Sequence, residues 1–532
     1  MVQAAYRRIR RLLEATDTLW LACAAILLAW VFHRQTYVAS RLIDGVRYFW
    51  LDDDMMISMT YARNLAEGHG LVWSAGYERV EGYSNFLWTM VMAAVHLFRP
   101  PTHLAAIPIR VISYTLTVGM FALAIRLLRV FVPRGIVPPV VMLTCMVLCP
   151  DIVLWSAWGF ENALLGFLLL LFLVKLFERG DTLLAYLALS LVPITRADGI
   201  YLFLANAVVA LVLSKDHRRT ILWLAIALAP FAAHMAFRRS YYGEWLPNTY
   251  FLKVYGLTDK HARGFEYAKN FTQVYGVVIA VSVAAGVAIA RRDRRGIAIA
   301  ILVGANLAYV VMVGSDMFLG FRFFSHLVPV MFAFAGAGVD QLGRGLVGRV
   351  GIAAVLFVVS VPPLPRPFAR LLVLDTNGDQ QKQIQVAAMI NKNARPESSM
   401  AVLCAGLVPY MTRRPALDML GKSDKHIARL MPFPGSMSGH GKVDADYMVA
   451  RRPDLIVTCN AGVTFTSNLS VNMTTNDPQV RFLSTPSFRE TYLPNYIDDD
   501  NGLLFNANGI YTHPRSLEHG RRHWTNKITV AP

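Results

Sequence analysis

The sequence has no glycine-rich phosphate loop, no His or Cys spacing of the kind that holds a dedicated metal, and no low-complexity segment. It also has no internal repeat with a period of roughly 20 to 50 residues. The first absence argues against nucleotide binding and the last against a solenoid or propeller. Cysteine is scarce, with five in 532 residues; Cys23, Cys145 and Cys149 lie in apolar segments, where a small buried hydrophobe is their natural role. Only Cys404 and Cys459 could face an oxidising compartment together, and the sequence leaves their pairing open. No small-x-small cleavage site follows the basic N-terminal residues, so 18–33 is expected to be an uncleaved first span.

What the chain has in quantity is apolar sequence. It is 55% hydrophobic with a mean hydropathy of +0.41. Apolar runs of about 16 to 22 residues recur through the first 364 positions, which marks a polytopic membrane protein. A net charge of +17 would suggest nucleic acid in a soluble chain. Here the basic residues collect in short loops between apolar runs, RRIRR at 7–11, RLLRVFVPR at 126–134, SKDHRR at 214–219 and RRDRR at 291–295. That is the positive-inside pattern, and it sets orientation rather than a polyanion partner.

With those loops and the one around Arg344 and Arg349 in the cytoplasm, the stretches 155–162, 195–199, 241–271 and 315–321 fall outside. The region before 126 then offers three apolar segments, 18–33, 83–98 and 104–125, for two crossings. The segment 83–98 is therefore expected to be half-inserted or re-entrant, leaving about 11 spans, with the first extracytoplasmic loop at 34–82. After VPPLPRPF at 361–368 the composition becomes that of a soluble domain. The fold expected is an α-helical polytopic membrane domain, 1–369, followed by an extracytoplasmic α/β domain, 370–532, with some parallel strands.

The stretch WLDDDMMISMTYARNLAEGHGLVW at 50–73 sets Asp52, Asp53 and Asp54 side by side. One Asp would cap the helix that follows, on which Met55, Met59 and Ala62 share a face. Three adjacent carboxylates repel, and a cap needs one. Held at a bilayer surface they suit acid–base chemistry, a cationic substrate or a divalent ion beside them. The rest of the loop interleaves glycines and aromatics with His69, Arg79, Glu81, Tyr83 and Asn85. Aromatic faces with polar groups on a turning loop suit a sugar, although an interfacial aromatic belt accounts for part of the pattern.

The order DD, YARNLAEGHGLVW, ERVEGYSNFLWT resembles the first extracytoplasmic loop of the membrane-embedded GT-C glycosyltransferases, particularly the mycobacterial-type terminal arabinofuranosyltransferases and their wider bacterial relatives. SAWGFENALL at 156–165, TRADG at 195–199, YYGEWLPNTYFLKV at 241–254 and GSDMFLGFRFF at 314–324 are similar to later segments of that group, and LDMLGKSDKHIAR at 417–429 continues the likeness weakly. The resemblance implies an inverting transfer of a sugar, arabinofuranose among the candidates, from a polyprenyl-phosphate donor to a glycan or glycoprotein acceptor. It aligns the family's aspartate pair with Asp53, as base, and Asp54, which would orient the acceptor or cap the helix. The leaving phosphate needs cations, for which Arg196, Lys253, Arg322 and His326 are candidates; Asn248 and Glu161 are further candidates for donor contact and for the site. A divalent ion beside Asp52, Asp53 and Asp54 could replace part of that clamp. All these segments fall on the side that charge counting sets outside, in a multi-pass cytoplasmic membrane. A transporter or a non-catalytic glycan-binding protein is the rival reading; a transporter calls for paired, interrupted helices in two related halves, which the sequence does not show.

Overall fold

The computed structural model describes residues 2–360, 378–458, 485–498, 504–512, 523–525 and 530–531, apart from positions 258, 317, 319, 344, 434, 435, 437, 438 and 492. The junction at 361–368, the position of Cys459 and the boundary at 369/370 lie outside the described residues.

Among the described residues five helices are long and apolar enough to cross a membrane: Ala15–Val38, Ala106–Phe131, His217–Tyr242, Lys260–Ala290 and Arg294–Val313. Val137–Leu148 and Pro150–Ala157 pass that test together as a pair bent by 53°, with Pro150 at the break. Proline lacks the amide the continuing helix would need, so the chain turns there. Shorter apolar helices, Phe86–His96, Leu183–Thr195 and Gly199–Leu213 among them, pack between the long ones. The Phe86–His96 helix has 11 residues. At 1.5 Å per residue that is roughly half of the ~30 Å hydrocarbon core.

The basic loops gather at one end of the bundle. Arg129 pairs with Asp17 at 2.6 Å, Arg126 with Glu178 at 2.6 Å, and Arg295 donates to the Phe177 carbonyl at 2.7 Å. The polar loops 50–54, 82–85, 157–162, 195–199, 246–260 and 314–327 meet at the other end, where the C-terminal domain sits.

That domain is α/β. β3 (Met400–Val402) pairs in parallel with β4 (Ala416–Asp418) and β5 (Leu455–Val457), and antiparallel β7 (Leu504–Thr512), β6 (Leu493–Asp498) and β8 (His523–Thr525) extend the sheet in the order β4-β3-β5-β7-β6-β8. A second small sheet ties the chain's last strand to its first loop: β1 (Ser40–Ile43) and β2 (Val46–Phe49) form a hairpin, and β9 (Val530–Ala531) adds to β1.

The Asp53–Ala66 helix lies between bundle and domain. Every residue from Met55 to Asn64 is buried, so its core is not one stripe but its whole circumference, as a helix packed on both sides requires. Ile57 and Tyr61 pack with Val386, Met400 and Val457 of the domain, while Met56 and Met59 pack with Trp88 and Trp155 of the bundle. Polar contacts fix the junction further: Trp73 Nε1 donates to the Ala405 carbonyl at 3.0 Å, and Arg63 to the Tyr410 carbonyl at 2.6 Å.

Candidate active site

A cavity of about 400 Å³ opens where bundle, first loop and C-terminal domain meet. That is within the usual range for a small-molecule site. Asp54 lines it, with Lys422, Lys253, Arg322, Arg196, Asp198, Glu161, Ser58, Tyr83 and Asn85.

The three aspartates do not face the same way. Asp52 caps the helix, accepting from the Asp54 amide at 3.1 Å and from Gln380 Nε2 at 3.2 Å. Asp53 turns to the C-terminal domain, where it accepts from the Leu407 amide at 2.7 Å. The Gly406 backbone lies so close to Asp53 that a Cβ there would collide with its carbonyl oxygen. Asp54 alone of the three lines the cavity, and it pairs with Lys422. Burial raises Asp52 to about 7, with its neighbours Asp54 and Asp53 adding to the rise, and lifts Asp53 to about 6 against the pull of the Leu407 amide and Lys422. Burial would raise Asp54 as well, but Lys422, then Lys253 and Arg322, hold its carboxyl well below the usual carboxylate range. The expectation that put Asp53 in the reacting position therefore meets a different geometry. Successive helical residues point about 100° apart, and the domain's amides occupy the direction Asp53 takes.

Among the described residues no three His, Cys, Asp or Glu side chains converge as a metal would need. Asp52, Asp53 and Asp54 diverge, each toward a different neighbour.

One cavity wall is a continuous polar network. Ser58 donates to Asn85 Oδ1 at 2.9 Å, Asn85 Nδ2 to Glu161 at 3.1 Å, and Arg196 to Glu161 at 2.8 Å. Arg196 also grips Asp198 through two bonds of 2.9 and 3.0 Å, and Tyr309 donates to Asp198 at 2.6 Å. Arg322, which shares the Phe323 ring with Arg196, pairs with Asp316 at 2.7 Å and sits among the rings of Phe318, Phe160, Trp155 and Phe323, at 4.8 to 5.8 Å. Such a cage favours a planar delocalised cation. Leu246, Tyr250 and Met312 line the cavity's apolar side and stay exposed.

Of the residues picked from sequence, Asp54, Tyr83, Asn85, Glu161, Arg196, Lys253 and Arg322 line the cavity. The others lie off it. Glu81 is buried in an ion pair with Arg238 at 2.5 Å, Arg79 stacks over the Tyr241 ring at 4.6 Å, and His69 is exposed. His326 is buried against Tyr201 and Asn306 beside a separate small void. Asn248 acts one step away: its Nδ2 donates to the carbonyls of Gly421, Lys422 and Asp424 at 2.8 to 3.1 Å, pinning the turn that carries Lys422. Asp418 fastens the same turn by accepting from the amides of Leu420, Gly421 and Ser423. Gly82 leaves it room, since a Cβ there would stand 2.8 Å from the Lys422 carbonyl oxygen. Lys422 and Asp418 were not picked; the only sequence signal for them was the LDMLGKSDKHIAR segment.

Comparison with known proteins agrees with this architecture. ArnT from Cupriavidus metallidurans bound to undecaprenyl phosphate superposes with a TM-score of 0.54 at 14% identity, covering 83% of this chain and 92% of that one. The archaeal oligosaccharyltransferase AglB from Archaeoglobus fulgidus, in complex with an inhibitory peptide and a dolichol-phosphate, superposes with a TM-score of 0.53 at 9% identity, covering 95% of this chain and 75% of that one. Residues 374–498 match a family described as a domain of unknown function, DUF8728. No curated protein sequence matches the chain.

Proposed function

From a chain with the fold of the GT-C membrane glycosyltransferases, we propose an inverting glycosyltransferase that moves a sugar from a polyprenyl-phosphate donor to a glycan or glycoprotein acceptor. The observation that carries this reading is the cavity itself, in which the Asp54 carboxylate faces Lys422, Lys253 and Arg322, while Arg196 is held by Glu161 and Asp198, beneath an exposed apolar rim. A lipid phosphate suits that layout, with its charge among the cations and its chain along Leu246, Tyr250 and Met312. The two relatives support it, one bound to undecaprenyl phosphate and the other to a dolichol-phosphate. Asp54 takes the acceptor hydroxyl proton as that oxygen attacks the anomeric carbon, and the bond from that carbon to the phosphate oxygen breaks. The product is inverted because the displacement is single. Arabinofuranose is one candidate sugar that the sequence resemblance raises.

Purified protein in lipid nanodiscs, given a panel of polyprenyl-phosphate sugars, should release polyprenyl phosphate only when an acceptor glycan is present. Movement of intact lipid-linked sugar across a vesicle without its cleavage would instead establish the transporter.

The site is assigned to the extracytoplasmic face of a cytoplasmic membrane. Support comes from Cys404, which is disulfide-bonded, and from the basic loops gathered at the opposite end of the bundle. On intact cells a Cys at exposed Arg451 should react with a membrane-impermeant reagent and one at exposed Arg218 should not. The reverse labelling would invert the orientation.

A further inference from the structure

Lys422 comes from the C-terminal domain and meets Asp54, 368 residues earlier in the chain. Its turn is fixed: Asn248 holds the Lys422 carbonyl at 3.0 Å, and Asp418 holds the amides on either side. The side chain, a compact charge on a flexible four-carbon stem, is the part that can move.

The cavity's cations are held unequally. Arg196 is bound by Asp198 and Glu161, and Arg322 by Asp316, carboxylates to which the proposed reaction gives no proton. The partner of Lys422 is Asp54, the group to which it does. Resting on the transfer reaction above, we propose that Lys422 is a mobile counter-ion: it pairs with Asp54 until a donor phosphate draws it away, and that move frees Asp54 to act as base.

The charge balance of the step supports the move. The acceptor oxygen bonds to the anomeric carbon, its proton passes to Asp54, and the bond from that carbon to the phosphate oxygen breaks. Asp54 thereby loses its negative charge, while the phosphate, leaving as a monoester, gains one. A cation that stayed at Asp54 would oppose the first change and miss the second. The groups facing Asp54 are Lys422, Lys253 from the Asn248–Lys253 helix, Arg322 from the 314–327 loop, and its own neighbours Asp52 and Asp53. With Lys422 paired, Asp54 is a weak base; with Lys422 withdrawn, burial and the two flanking aspartates make it a stronger one.

The test uses the full-length protein and the pH dependence of kcat/KM. Lys422→Gln should move the acid limb up by about one pH unit or more and raise KM for the donor about tenfold, whereas Lys422→Arg should keep the wild-type limb. A contact that only holds the domain in place would lower activity without moving the limb, and a Lys422→Gln limb that coincides with wild type would overturn the proposal. Should Lys422→Gln fail to fold, infrared difference spectra of the wild type with undecaprenyl phosphate decide. A protonated-carboxyl band should appear at a pH where ordinary carboxylates are ionised and be missing from Asp54→Asn; no such band overturns the proposal. Wild-type protein that transfers no sugar would defeat the transfer reading and leave the infrared result to judge Lys422.

Discussion

Asp54→Asn is expected to lower kcat by about 10²–10⁴-fold while donor binding stays close to wild type, because the amide keeps the shape of the carboxylate and cannot take a proton. Asp53→Asn should cost far less in kcat. Its carboxylate accepts from the Leu407 amide and lies outside the cavity lining, so its loss weakens the seat of the C-terminal domain instead of the chemistry. The pair of variants separates the two roles. Steady-state kinetics with the lipid-linked donor, together with binding of undecaprenyl phosphate, is the measurement. Near-normal turnover in Asp54→Asn, with severe loss in Asp53→Asn, would return the base to Asp53 and sink the cavity assignment.

Arg322→Ala should lower kcat/KM by about 10²–10³-fold, the scale for removing one positioned donor to developing charge in a dry site. Arg322→Lys should recover only part of that loss, because the ammonium keeps the charge but neither reproduces the guanidinium's hydrogen bond and ion pair to Asp316 nor stacks within the cage of Phe318, Phe160 and Trp155. Removing the guanidinium deprives the Asp316 side chain of its ion pair with Arg322, so the thermal midpoint of Arg322→Ala should fall too; Asp316→Asn controls for that effect by weakening the same pair while retaining the cation. Activity in Arg322→Ala equal to that of Asp316→Asn would assign Arg322 to structure alone.

Several parts of this picture were legible in the chain. Hydropathy and basic loops set the membrane class and brought the right loops to one end, because apolar length and Arg/Lys placement act through the bilayer and need no tertiary partner. The likeness of the 50–88 stretch and of the later polar segments pointed to the fold, and Glu161, Arg196, Lys253 and Arg322 were picked from loops that do converge. The change of composition after 368 announced the α/β domain, whose β3, β4 and β5 are parallel.

What only the tertiary structure decided is direction. Asp52, Asp53 and Asp54 are the same residue three times, and their environments part because the helix carries each to a different neighbour: Gln380, the Leu407 amide and Lys422. Glu81, Arg79 and His69 sit in the same polar, aromatic loop as Tyr83 and Asn85, yet Arg238, the Tyr241 ring and solvent take them. The segment 418–429 that carries Lys422 was legible as the part of the domain expected nearest the site, but its pairing with Asp54 was not. A contact spanning 368 positions leaves no periodicity or spacing to read, since it exists only once bundle and domain have closed on each other.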